Sequence, residues 1–239
     1  MTKPFKQWTV LPHGKLSEID DNILTVVGQL HMPLTDLPRR MTVVRLKDGR
    51  LVIFSAIALD EDEMASIEEY GRPAFLIVPN DIHRLDAKTW YDRYPHMEVV
   101  TPEGSLAKVE EVVGVDSVVP EFDDPNVIFI TVPGTRRREA ALVVRTHNGT
   151  TLVLNDLIGN IRNEGGFAGW LLRLAGFAGD EARIPRVVKM AMIEDKNALR
   201  AQLLQWADIP SLQRILVSHG QVIADDPRQT LRELANSLL

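Results

Sequence analysis

The chain has 239 residues, a net charge of −6, 45% apolar and 25% charged residues, and no cysteine. That length holds one large domain with a sizeable core or two small ones, and the composition is that of an ordinary globular protein rather than a nucleic-acid binder, which needs a concentrated basic surface. Without cysteine there are no disulfides, no Cys-ligated zinc and no thiol nucleophile.

The opening MTKPFKQWTV lacks an apolar signal core, and no apolar run is long enough to span a bilayer, so a cytoplasmic location without a transmembrane segment is expected. Residues 1–20 are punctuated by Pro4, Pro12 and Gly14 and read as irregular. Residues 22–30, 41–46 and 51–57 are β-branched runs, the last two separated by Lys47-Asp48-Gly49-Arg50. Asp-Gly between apolar runs signals a hairpin, so the chain opens as an antiparallel meander. Residues 60–70, acidic at the start and ended by Gly71 and Pro73, form a helix that leads into the buried strand 74–78, a βαβ-type crossover.

Residues 88–94 form a short helix, 98–101 a short strand, and 106–113 is mixed. Residues 127–132, 140–145 and 150–155 are three further strands, the last two joined at Asn148-Gly149. Residues 160–179 are Gly-spaced and apolar, readable as a buried helix, a lid, or a homodimer or membrane-surface patch. A helix over 193–206, a strand over 214–217 and an amphipathic helix opened by Pro227 complete the chain. No linker divides it, so the expectation is α+β: one domain over 1–239, a four-layer αββα sandwich of two mixed β-sheets, with 1–18 as an irregular extension.

The apolar run 75–78 stops at Pro79-Asn80 and opens into a polar turn with Asp81, His83, Arg84 and Asp86. Sites in open α/β sheets lie just past such strand ends. Three stretches, FLIVPNDIH followed by WYDRYP, TLVLNDLIGNI, and ILVSHGQVIADDP, resemble in order and spacing the strand ends of the metallo-β-lactamase-fold superfamily. Within it, the likeness is to a metal-motif-degenerate branch, the domain-of-unknown-function group numbered 4336.

The resemblance implies that Asp156 matches the bridging Asp and His219 the final His. In the first loop, either Asn80 stands at the first His, or His83 stands at the last with Asn80 at the second. Thr135 stands where a mid-chain His would be, and Ser55 replaces an Asp. A binuclear site is therefore not implied. What remains is no cofactor, or one divalent ion (zinc, manganese or iron) on His83, Asp156 and His219.

Each residue also has a plainer reading. His83 serves as a loop histidine bonded to Asp81 or Asp86, Asp156 as a cap for the segment that follows, and His219 as a core histidine. Gly220 points to close backbone approach beside His219. The run Arg136-Arg137-Arg138 with Glu139 is either a solvated strand end or a source of cations for the pocket. The leading expectation is a degenerate site that binds a small anionic ligand or a partner, with Asn80, Arg136, Arg137 and Glu139 as ligand-binding residues. The alternative is a mononuclear metal-dependent hydrolase of an ester, lactone, amide or phosphodiester.

Overall fold

The computed structural model describes residues 3–31, 36–162, 173, 176 and 179–239. One sheet runs in chain order: β1 (Ser17–Asp20), β2 (Ile23–His31), β3 (Asp36–Arg45), β4 (Arg50–Phe54), β5 (Arg72–Ile77) and β6 (Glu98–Val100). Its first four strands are antiparallel and its last two join in parallel. The second sheet has β7 (Val127–Thr131), β8 (Ala140–Thr146), β9 (Gly149–Asn160) and β10 (Leu212–Gly220) in the order β10-β9-β8-β7, with β10 parallel to β9. Both expected hairpins form, β3–β4 over Asp48-Gly49 and β8–β9 over Asn148-Gly149.

Among the described residues the α-helices are α1 (Glu61–Tyr70), α2 (Ala87–Arg93), α3 (Leu106–Val109), α4 (Arg186–Ala191), α5 (Lys196–Ala207) and α6 (Pro227–Asn236). Three begin where an aspartate accepts from a first-turn N–H: Asp60 from Glu63, Asp195 from Asn197 and Ala198, and Asp226 from Gln229. α1 links parallel β4 and β5, the expected crossover.

Strand alternation divides the core into layers. On β4, Val52 and Phe54 join Leu142, Val144, Val153 and Leu216 in a cluster between the sheets. Leu51 and Ile53 point the other way, to Met64 and Ile67 of α1 and Trp90 of α2. On the far side, Leu152 and Leu154 of β9 pack with Leu199, Leu203 and Trp206 of α5 and Leu231 and Leu234 of α6. Helices, sheet, sheet, helices: the expected αββα sandwich is the fold.

Several boundaries differ from expectation. Ser17–Asp20 is a strand paired with β2, so the irregular N-terminal extension is shorter than 1–18. β3 begins at Asp36, five residues before 41. β4 stops at Phe54 because Ser55, at φ 59°, turns the chain. β9 runs on to Asn160, which places Asp156 inside a strand and removes the capping reading. The lid, homodimer and membrane-surface readings of 160–179 fall largely outside the described residues.

Candidate metal centre

A loop and two strands converge on one point. His83 lies in the loop after β5, Asp156 on β9 and His219 near the end of β10. His83 Nε2 stands 3.1 Å from Asp156 Oδ1 and 3.1 Å from His219 Nε2, and His219 Nε2 stands 3.0 Å from Asp156 Oδ1. His83 touches neither of the loop acids that its sequence neighbourhood suggested. Asp81 instead pairs with Arg138, and Asp86 with Arg39.

The far side of each ring is taken. His219 Nδ1 donates to the Pro38 carbonyl at 2.6 Å, and His83 Nδ1 meets Ser55 Oγ at 2.9 Å. An outer partner on one nitrogen turns the other nitrogen, as a ligand, toward the common point. Backbone geometry supports the same convergence. Gly220, at φ 116°, leaves no room for a Cβ, which would lie 2.1 Å from the Asn160 carbonyl oxygen. The close approach expected at Gly220 is therefore present, and it seats the end of β10 against β9.

Behind the three donors lies a second layer. Asn80, fully buried, accepts the backbone N–H groups of Ile82 and His83 on Oδ1, 2.9 Å each, which shapes the loop that carries His83. Its amide nitrogen donates to Glu139 Oε2 at 2.9 Å and to Asp156 Oδ2 at 2.7 Å. Glu139, also fully buried, accepts from the Leu157 backbone at 3.1 Å. Burial, and then the charge of Asp156, push the Glu139 carboxyl well above the ordinary range. Burial alone would raise Asp156 too, but the charge of His83 and hydrogen bonds from His219 and His83 outweigh it and hold that carboxyl well below.

The residues fit a single divalent ion. Two imidazole nitrogens and one carboxylate oxygen, all within 4.8 Å of one another, are the donor types that zinc takes. Tetrahedral bonds of about 2.0 Å set ligand atoms about 3.3 Å apart, and the donors here are separated by 3.0 to 3.1 Å. Three protein ligands with one side open is the pattern of catalytic rather than structural zinc.

That open side faces a cavity of about 330 Å³ bordered by His83, Asp156 and His219. The rest of its wall is mostly apolar, including Leu30, Leu37, Ile82, Leu85, Val188 and Met192, with Arg39, Arg84 and Arg138 as its cations.

The other sequence candidates fall elsewhere. Arg136 and Arg137 are exposed and outside the cavity wall; Arg137 pairs with Glu103, and Arg138 is the arginine of the run that borders the cavity. The reason is local: Arg136 and Arg137 both sit at left-handed φ, 54° and 55°, in a turn that carries them outward. Asn80 and Glu139 lie behind Asp156, where they support the site without bordering the cavity. Thr135 is buried with its hydroxyl on the Val132 carbonyl at 2.7 Å and is not part of the cavity wall. Sequence reasoning missed Pro38, Arg39 and Arg40; the one signal was an arginine pair at the head of a β-branched run.

No family model and no curated protein matches the chain. Solved structures do. The metallo-beta-lactamase FIM-1 from Pseudomonas aeruginosa, in its mono-zinc form, superposes with a TM-score of 0.61 at 13% identity, over 95% of this chain and 96% of that one. A metallo-beta-lactamase from Erythrobacter litoralis gives 0.63 at 11% identity, over 93% and 96%. One from Pontibacter korlensis gives 0.61 at 10% identity, over 93% and 98%. The fold of this chain is that of the metallo-β-lactamases, and it carries a His-Asp-His cluster able to hold a metal ion.

Proposed function

We propose that the protein is a mononuclear metal-dependent hydrolase, with His83, Asp156 and His219 holding one divalent ion at the floor of the cavity. The observation that carries this reading is the meeting of three donor atoms at 3.0 to 3.1 Å on the cavity side of the two histidine rings. A bound ion of this kind lowers the pKa of its water toward neutrality and polarises a scissile carbonyl or phosphoryl bond. The protein's share is positional. Ser55 and Pro38 orient the two rings, Asn80 fixes the His83 loop and holds one oxygen of Asp156, and the apolar wall limits access of bulk water. The substrate class is an ester, lactone, amide or phosphodiester. The likeness to the metal-motif-degenerate group numbered 4336 rests on the same three stretches and belongs with a second, non-catalytic reading.

Metal analysis of protein produced with zinc, manganese or iron added is the direct test. About one ion per chain is expected, falling about tenfold or more in His219→Ala, with hydrolysis that a chelator removes and the ion restores. Wild-type protein that takes up no ion would sink the hydrolase. It would leave the second reading, a non-catalytic pocket for a small anionic ligand, which Asn80, Thr135 and Ser55 favour by standing where the resemblance expects metal-binding or acidic residues.

A further inference from the structure

Of the three arginines that border the cavity among the described residues, two have partners and are only part-buried. Arg138 pairs with Asp81, and Arg84 binds Glu111 and the Lys108 carbonyl. Arg39 differs. Its Nη1 pairs with Asp86, yet its Nε and Nη2 are buried without a hydrogen-bond partner. The side chain is 7% exposed. Unpaired N–H groups on a buried cation are rare in native proteins, because their lost hydration is not replaced.

The two atoms form one edge of the guanidinium, with N–H bonds side by side, the arrangement that grips both oxygens of a carboxylate. Asp86 is itself committed, to Arg39 and to the Ala58 backbone N–H at 3.1 Å, and lies beneath the wall. The wall carries three arginines against Asp81 and Asp156, although the chain as a whole is at −6. Arg39 borders the cavity, and the wall around it is apolar: Leu30, Leu37, Ile82 and Leu85 all border it. A cavity of about 330 Å³ is within the small-molecule range.

We propose that the cavity takes a compound with an apolar acyl or aryl body and one carboxylate, the carboxylate held by the Nε–Nη2 edge of Arg39. This names the substrate class of the hydrolase proposed above; it rests on that reading for what is cleaved but not for what is bound. Pro38 gives the link between the two ends of the ligand. Its carbonyl orients His219, and the next residue presents the guanidinium, so one stretch of β3 sets both the reacting end and the anionic end.

Octanoate and its uncharged analogue octanamide, titrated calorimetrically into the full chain after chelator treatment, test the assignment. Wild-type protein is expected to bind octanoate about tenfold tighter than octanamide. Arg39→Lys keeps a charge opposite Asp86 but loses the paired N–H edge; it is expected to lose most of that preference while its circular dichroism is unchanged. The double variant Arg39→Gln with Asp86→Asn removes both charges together, avoids a lone buried carboxylate, and is expected to behave the same way. His219→Ala dismantles the metal cluster and is expected to keep the preference, so failure of the hydrolase reading leaves this result standing. Equal binding of the two probes by wild-type protein, or an undiminished preference in the Arg39 variants, overturns the proposal. So does a preference lost in His219→Ala alone, which would place the carboxylate on the metal ligands.

Discussion

At the scale of single residues, the site depends on groups that touch neither substrate nor ion. Asn80 spends all four of its hydrogen-bonding positions at once: two backbone donors on its oxygen, two carboxylates on its nitrogen. An aspartate there would set a third carboxyl against Glu139 and Asp156, so the amide is what lets two buried acids lie together. Ser55 shows the same economy. It ends β4 at φ 59° and places its hydroxyl 2.9 Å from His83 Nδ1, fixing the ring whose other nitrogen faces Asp156. Its loss removes one hydrogen bond and frees the ring to turn. Ser55→Ala is therefore expected to weaken zinc binding about tenfold while costing no more than about 1 kcal/mol of stability. Competition titration against a zinc-binding dye, beside a urea melt, separates the two effects. Unchanged affinity would mean that packing alone orients His83.

At the scale of elements, the first half of β3 organises the centre. Its second half pairs with β2 and β4, but residues 36–41 pair with β2 alone, leaving their other edge toward the end of β10. An edge without a ladder partner tolerates Pro38 and frees its carbonyl for His219. Arg40 then ties the strands together. Its guanidinium donates to the carbonyls of Val217 at 3.0 Å and Gly220 at 2.9 Å, and to Thr25 Oγ1 at 3.2 Å. Arg40→Met keeps the apolar stem and removes the donors, leaving the buried Val217 carbonyl and the end of β10 without them. A loss of about 2 to 3 kcal/mol and a drop of about tenfold in zinc affinity are expected from denaturation and metal titration.

The same strand marks the limit of what the sequence made legible. Asp48-Gly49 and Asn148-Gly149 announced their hairpins because a short turn is local chemistry. His83, Asp156 and His219 could be singled out because each follows or ends an apolar run, and the structure does bring them together. The role of Arg39 was hidden, because Pro38 and two arginines weigh against a strand and only tertiary pairing with β2 extends one there. The choice among Arg136, Arg137 and Arg138 depends on two left-handed backbone positions that three identical side chains do not signal.

At the scale of the molecule, the two sheets are held by more than the apolar layer between them. Asp20, at the end of β1 on one sheet, reaches the other: it binds Arg214 of β10 at 2.8 Å, Thr146 Oγ1 at 3.1 Å and Asn148 Nδ2 at 2.8 Å, at the β8–β9 turn. Its side chain is 2% exposed. Burial would raise this carboxyl, but hydrogen bonds from Asn148, Arg214, the Asp21 backbone and Thr146 outweigh it and lower its pKa. A carboxyl whose pKa is lower folded than unfolded stabilises the fold fully above the unfolded value, about 3.9, and loses that contribution as pH falls through the folded value. Asp20→Asn keeps the shape but removes the charge opposite Arg214. At pH 7 it is expected to lower stability by about 2 kcal/mol, the worth of a charged hydrogen-bond set. The deficit should persist at pH 5 and shrink below about pH 4, where the wild-type carboxylate also becomes protonated. Urea midpoints of both proteins at the three pH values give the comparison. No deficit at any pH would show that Asp20 acts by shape, and that the two sheets are joined at this edge without help from its charge.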